Sequence, residues 1–388
     1  MINQSILVIA LSARPFVVAA KRAGYLVSAI DAFADKQTLM LADKVVVVDY
    51  GEHGFNAAAM LNAVNALNVK QYVGYIYGSG FEAQPELLQQ LAQILPLIGN
   101  SVNAVQAVKS VKFFAELDAM NIKHPNIYDA LPVNAMNHGA ENGAYLEKFA
   151  GGCGGTHISV AETAQKLAPD HYFQQHISGL AVSLLFIADG KEIVVIGFNE
   201  QWLNPAKTMP YLYGGAVGNI ALPIEVQQQL IDAAQKITRK FGLIGLNSLD
   251  AIIEKTVSQG DIVYVLEINP RLSATVDLYE EANLIDAHVQ TIMMHSLKYS
   301  ELLATIKKSQ QSKAQAIVYA EFDMQVPAQF DWPDWAVDTP YHADERDINI
   351  LATEPICTVI AHASNADDAK LLAQSRVKIL FAELVARY

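Results

Sequence analysis

The sequence predicts an α/β fold that passes into α+β, and three observations carry that expectation. Over about the first 100 residues, short apolar runs alternate with helical patterns: ILVIAL, FVVAAKRAG, YLVSAID, KVVVVDY, FNAAAMLNAVNALN, QYVGYIYGSG and PELLQQLAQIL. Such alternation signals a parallel sheet covered on both faces. Farther on, GAYLEKFA, YFQQHI, LAVSLLFIADG and KEIVVIGFNEQW follow in hairpin order, as strands of an antiparallel sheet do. Finally, 52% hydrophobic and 17% charged residues place the chain among compact globular proteins. At 388 residues it is too long for one ordinary core, so about two to four domains are expected.

Individual elements follow from local signals. The first turn, ALSARPF, lacks the glycine triplet of a dinucleotide fingerprint, and Pro15 is placed to open the next helix, which weighs against hydride chemistry. A single helix is expected over VNAVQAVKSVKFFAELDAMN, ending near His124 and Pro125. One long helix, IEVQQQLIDAAQKITRKFG, interrupts the hairpins and is reached through a long connection from Gly197 to Asn219. The polar run from Ser300 to Ser312 reads as a boundary, and the tail from AQAIVYAEF onward mixes short strands with a final helix. No internal repeat or low-complexity tract is evident.

Composition excludes several classes of function. The opening apolar run, Ile6 to Leu11, is too short to cross a bilayer and has no basic segment before it, so it reads as a buried strand with no membrane role. A formal net charge of -13 disfavours a general nucleic-acid binder, which needs a basic surface. Cys153 and Cys357, without CxxC spacing, provide neither a disulfide framework nor a zinc site, and a reducing cytoplasm fits them best.

Two stretches carry chemistry. In VLEINPRLSAT, Val265 to Thr275, residues Glu267, Asn269 and Arg271 alternate, so they share one strand face while Tyr264, Leu266 and Ile268 take the other. Pro270 cannot donate to a ladder, which puts the trio at the strand's end. The strand before it, GLNSLDAIIEK, joins it through a turn near Gln259, and a hairpin centred there sets Asp250 roughly opposite Glu267. Facing carboxylates repel, and a bound cation reverses that. Asp250, Glu267 and Asn269 offer the hard oxygen ligands that Mg²⁺ prefers beside phosphate, and the planar fork of Arg271 suits a phosphate or a developing acyl phosphate. The competing reading is a solvent-facing edge with unpaired acids.

The second stretch is YLEKFAGGCGGTHI, Tyr145 to Ile158. Lys148 precedes Gly151, Gly152, Gly154 and Gly155, whose backbone N–H groups can approach polyphosphate closely while the ammonium meets its charge. Strands flank the loop and no GKS or GKT follows, so it is not a Walker loop; a flexible surface hairpin is the alternative. Cys153 has no base supplied by the sequence, and His157 is expected as a strand residue rather than an acid or base. In the front domain YGSGFE, Tyr77 to Glu82, should face the cleft, making Ser79 and Glu82 candidates for acceptor-substrate contacts, with helix capping as the alternative. In the long connection the aromatics Trp202, Tyr211 and Tyr213, with Gly214, are candidates for the substrate side, ordinary packing being the alternative for the aromatics, and Gly214 with Gly215 suggests a hinge.

Taken in order, Lys148 with GGCGG, then YFQQHISG, NSLDAII and VLEINPR resemble the ATP-grasp superfamily across residues 100–300, and the tail is similar to the closing domain of biotin carboxylase-like members. The resemblance implies an ATP-grasp fold: a Rossmann-like pre-ATP-grasp domain over 1–100, a central and lid subdomain over 101–178, a catalytic subdomain over 179–305 and a small C-terminal α+β domain over 306–388. It further implies that Lys148 meets phosphate and that Gly151 to Gly155 fold over the β- and γ-phosphates. Gln174, Gln175, His176 and Ile177 would meet adenine mainly through backbone groups; the two glutamines stand where many members hold ribose with a glutamate. Asp250, Glu267 and Asn269 match the metal ligands, and Arg271 with Lys148 the catalytic pair. A lysine for the α-phosphate is implied near Lys109 and Lys112; the usual DK pair is absent, and Lys109 is favoured.

The activity implied by the resemblance is ATP-dependent carbon–nitrogen ligation. With Mg²⁺, or Mn²⁺ in its place, ATP converts a small-molecule carboxylate into an acyl phosphate, and an amine displaces the phosphate. SGFE, LIGN, the YGG loop and PICTV are similar to a subgroup associated with tetrahydromethanopterin- and methanofuran-type one-carbon cofactor biosynthesis, which implies an amino acid such as glutamate joined to an aromatic amine or pterin precursor. A bicarbonate-dependent carboxylase and a non-catalytic ATP-binding regulatory protein are the alternatives. A cytoplasmic homodimer without nucleic-acid or membrane partners is the expected setting.

Overall fold

The computed structural model describes residues 4–51, 54–131, 145–161, 167–256, 260–294, 311–342 and 346–387. The expected turn at Gln259 and all but the last two residues of the polar run from Ser300 to Ser312 lie outside them.

At the front, four parallel strands stand in the order Lys44–Val47, Leu26–Asp31, Ser5–Ile9 and Tyr72–Tyr77. Ile6, Leu7, Val8 and Ile9 are all fully buried, as expected where both faces of a strand are covered. Pro15 lies in the first turn of the helix Arg14–Arg22. The strand order reverses between Ser5–Ile9 and Tyr72–Tyr77, so their carboxyl ends open a crevice, and YGSGFE leaves from there.

The helix expected over residues 102–121 is two helices, Val102–Val108 and Lys112–Ala119. Lys109 ends the first one with φ -102° and ψ 24°, and the Ser110 hydroxyl donates back to the Ala107 carbonyl at 3.0 Å. Hydroxyls bonded back in this way compete with helix continuation. The break turns Lys109 inward and leaves Lys112 exposed.

A small antiparallel sheet then orders Ile127–Tyr128, His171–Gln175, Tyr145–Phe149 and Ile158–Val160. Beyond it lies an eight-stranded antiparallel sheet in the order Ile262–Asn269, Ile244–Glu254, Leu180–Asp189, Ile193–Leu203, Tyr213–Val217, Ser312–Tyr319, Pro355–Ala363 and Ala336–Val337. The tail strands therefore continue the same sheet. The long helix Ile224–Phe241 buries Val226, Leu230, Ala233, Ala234 and Ile237 on one face and ends at Gly242 in the left-handed conformation, φ 64°. On the other face Leu185, Ile187, Val194, Ile196 and Leu246 share a core with Ile6, Val8, Phe16 and Val17 of the front domain. The final helix, Ala366–Arg387, packs Ala369, Ala373, Leu380 and Leu384 against the tail strands. Among the described residues no helix is long and apolar enough to cross a membrane.

The connection expected from Gly197 to Asn219 is mostly a hairpin. Strand Ile193–Leu203 pairs with Tyr213–Val217, Glu200 opposite Val217 and Trp202 opposite Gly215. The glycines obscured this strand because they have no side chain to contribute to the alternation. A Cβ on Gly215 would lie 2.5 Å from the Trp202 ring, so the indole takes the space. Trp202 also carries Lys370 over its ring at 5.7 Å, which makes it a packing residue. A buried guanidinium, Arg14, ties three parts of the chain together through Asp277 and Asp338, each at 2.7 Å.

Candidate active site

Strands Ile244–Glu254 and Ile262–Asn269 set Asp250 opposite Glu267 and Ser248 opposite Asn269. The expected apolar face is corrected. A β-bulge leaves Leu266 without a partner, and the core-facing residues are Val263, Val265 and Ile268 rather than Tyr264, Leu266 and Ile268. The Lys109 ammonium donates to Glu267 Oε2 at 2.7 Å and to Asn269 Oδ1 at 2.9 Å, with its side chain 3% exposed. Asn269 Nδ2 donates to Asp250 Oδ2 at 3.0 Å and to Glu267 Oε1 at 3.3 Å. Burial and the neighbouring Glu267 charge push the Asp250 carboxyl up. For Glu267, burial pushes up but Lys109 and Lys148 outweigh it and hold the carboxyl below its ordinary range.

Arg271 lies just past the strand. Its Nε donates to Glu82 Oε1 at 2.6 Å, its Nη2 to Asn269 Oδ1 at 3.3 Å and its Nη1 to the Leu272 carbonyl at 3.1 Å. Glu82 is 6% exposed and its Oε2 accepts from the Gly80 N–H at 2.7 Å. Burial alone would raise Glu82; Arg271 and Lys109 outweigh it and keep the carboxylate ionised. The structure thus seats Glu82 beneath the guanidinium as its orienting partner. Ser79 is half-buried and gives its carbonyl to the Leu11 N–H at 2.9 Å.

Lys148 is 7% exposed, with Nζ donating to Gln174 Oε1 at 3.0 Å. Burial, with Lys109 adding to it, lowers its pKa against the pull of Glu267 and Asp250. Gln174 Nε2 is buried without a partner, whereas Gln175 accepts from Asn126 at 3.0 Å. The sheet ends at Gln175; His176 rests against the Tyr211 ring, centroids 6.2 Å apart, and Ile177 is half-buried.

The glycine loop is clamped on two sides. A Cβ on Gly151 would come 2.8 Å from the Ala83 backbone, and one on Gly155, φ 77°, 1.9 Å from the Tyr211 carbonyl. The Tyr213 N–H donates to the Gly154 carbonyl at 3.0 Å, so the hairpin holds the loop from its far side. Burial raises the Tyr213 phenol, a hydrogen bond with Gln315 opposes it and the Asp250 charge adds to the rise. Gly214 has no room for a side chain, since a Cβ there would come 2.8 Å from the Asn204 nitrogen. Cys153 lies 3.8 Å from the Tyr50 hydroxyl, and burial pushes its thiol up to about 11.

Two residues join the cluster beyond those expected there. Contrary to expectation, His157 is not in a strand: it lies in the turn before Ile158–Val160, and its ring occupies the space that a Cβ on Gly152 would need. Its Nδ1 is buried without a partner, and burial pushes the ring down to about 4 although Glu267 pulls it up. Gln201 Nε2 reaches Asp250 Oδ1 at 3.4 Å from strand Ile193–Leu203. A histidine two residues after the last loop glycine was a signal in plain sight; Gln201 was hidden until its strand paired.

A family model described as the ATP-grasp domain matches residues 109–275, Lys109, Lys148, Asp250, Glu267, Asn269 and Arg271 included. The chain carries an ATP-grasp domain. Its ATP-grasp fold is similar to that of an L-amino acid ligase from Bacillus licheniformis, with TM-score 0.68 and 14% identity, over 96% of each chain. It is also similar to a biotin carboxylase–βγ-ATP complex from Campylobacter jejuni, with TM-score 0.68 and 16% identity, over 94% of this chain and 89% of that one. At such identities the likeness is one of fold. The carbamoyl phosphate synthase large chain of Acidobacterium capsulatum is 25% identical over 254 residues, 59% of this chain but 22% of that one, so this chain spans under a quarter of that relative.

Proposed function

We propose that the chain is an ATP-dependent ligase that activates a carboxylate as an acyl phosphate and joins it to an amine. One observation carries this reading: two carboxylates in register, a bridging amide, two buried lysines and a glutamate-held arginine converge beneath a clamped glycine loop. Cations gathered this densely around two acids suit a ligand with several negative charges and a divalent counter-ion.

The donor set fits Mg²⁺ in chemical type. Asp250 and Glu267 with the amide oxygen of Asn269 are hard ligands, although among the described residues no three His, Cys, Asp or Glu side chains group together. Those three residues would hold the ion, which when bound supplies charge neutralisation at the phosphate oxygens. Lys148 and Lys109 would meet phosphate charge, and the loop N–H groups would lie over the transferring group. Arg271, kept in orientation by Glu82, would hold the carboxylate and then its acyl phosphate. The loop, which approaches Ala83 and Tyr211 closely, would keep water from hydrolysing that intermediate before the amine arrives.

In its narrowest form the proposal has an amino acid as carboxylate and an aromatic amine or pterin precursor as acceptor, as in one-carbon cofactor biosynthesis. The test is coupled ADP release with Mg-ATP against carboxylates, amino acids, aromatic amines and bicarbonate. Release that needs both a carboxylate and an amine, and that disappears in Lys148→Ala, supports it. Release with bicarbonate alone would replace ligation by carboxylation.

A further inference from the structure

The three residues assigned to the metal do not all turn oxygens toward one another. An ammonium and a guanidinium only donate hydrogen bonds, and a carboxylate only accepts, so the Asn269 amide can face its neighbours in one way. Its Oδ1 points at Lys109 and Arg271, 2.9 and 3.3 Å away, and its NH₂ points at Asp250 and Glu267, 3.0 and 3.3 Å away. Between the two acids the amide therefore presents hydrogens. The same ammonium takes Glu267 Oε2 at 2.7 Å. For Glu267 and Asn269 to give these oxygens to a divalent ion, Lys109 has to withdraw and the amide has to rotate by half a turn. A dication could not share the oxygens with an ammonium at these distances, because like charges repel too strongly in a buried site.

We infer that Lys109 and a divalent cation exclude one another at Asp250, Glu267 and Asn269, so that the metal enters with the nucleotide and not before it. Lys109 serves as an internal counter-ion and as the residue that positions the Asn269 amide. Polyphosphate draws the ammonium away, which frees one Glu267 oxygen and lets the amide turn its own oxygen to the acids. The break in the helix at Lys109 makes this exchange available, since it aims a long flexible side chain at the cluster from the end of a helix. The inference rests on the nucleotide-site reading proposed above.

The experiment is a titration with Mn²⁺ alone, without nucleotide, read from the paramagnetic resonance signal of the free ion. Wild type and Lys109→Arg, which keeps the cation, should bind weakly. Lys109→Met and Lys109→Gln, two different neutral replacements, should each bind at least about tenfold tighter, and adding Asp250→Asn to Lys109→Met should abolish that gain. Neutral variants within twofold of wild type would overturn the inference, and so would a gain that survives Asp250→Asn. The ligase reading fails separately: a neutral variant that gains Mn²⁺ affinity while wild type never releases ADP leaves the exclusion standing and removes the activity.

Discussion

Acid should loosen the seat of the front domain through one histidine. His288 is 2% exposed in the helix Leu284–Met294, with Nδ1 accepting from the Leu246 N–H at 2.9 Å. The ring proton is therefore on Nε2, which donates to the Ile98 carbonyl at 3.0 Å, so the ring joins the front domain to the large sheet. Burial pushes the ring down to about 4, although the Ile98 carbonyl pulls the other way. An unfolded histidine takes up its proton near 6.5, whereas the folded one resists until about 4. The stability from the neutral ring is complete above the unfolded value and is lost as pH falls through that window. At about 1.4 kcal/mol per pH unit the loss reaches about 3 kcal/mol. Urea unfolding at several pH values reads it out, with His288→Gln for comparison, since a glutamine can accept from Leu246 and donate to Ile98 without titrating. The difference between wild type and variant should open by about that amount between neutrality and the folded pKa. Parallel curves would refute the assignment of the ring.

Four other substitutions test the site. Glu267→Gln should keep the fold and lose about a thousandfold or more in turnover, seen as kcat beside an unchanged circular dichroism spectrum. Gly155→Ala should raise the KM for ATP at least about tenfold, because the new Cβ meets the Tyr211 carbonyl at a residue with φ 77°; Gly154→Ala, also at positive φ but with open space around it, should cost less. Cys153→Ser should stay within about threefold of wild-type turnover, and iodoacetamide should label Cys153 slowly at neutral pH, since burial holds the thiol at about 11. A large loss of turnover there would give Cys153 a part in catalysis.

The front sheet and the hairpin of acids were legible because uninterrupted apolar runs and an alternating polar strand are local signals. Counting outward from one turn brought Asp250 only to the neighbourhood of Glu267; the exact pairing comes from the bulge at Leu266. What stayed hidden depends on contacts distant in sequence. Nothing in VNAVQAVKSVKFF marks a helix break at Lys109, which forms where Ser110 bonds back to Ala107 and Phe113 and Phe114 pack into the core. The strand Tyr213–Val217 has a pair of glycines where a side-chain pattern would otherwise be read, and its identity comes from Trp202 and Gln315 on either side. Glu82 was legible as a cleft residue but not as the partner of Arg271, since 189 positions separate them.

The bulge at Leu266 explains how one short strand serves both the core and the site. An unbroken period of two would place Glu267 and Asn269 on the face of Val263 and Val265, in the core against Ala251 and Ile253. Asp250, of opposite parity on its own strand, would then face no acid. One extra residue between Val265 and Glu267 reverses the parity for the last turn of the pleat only, so Ile268 takes the core position opposite Leu249 while Glu267 and Asn269 emerge beside Asp250 and Ser248. The consequence reaches Lys109. Its ammonium finds a carboxylate and an amide oxygen side by side because the bulge has brought both to one face, two residues apart and opposite a second acid. The alternating polar trio is thus a reliable sign of the site only from Glu267 onward; before it, the same alternation belongs to the core.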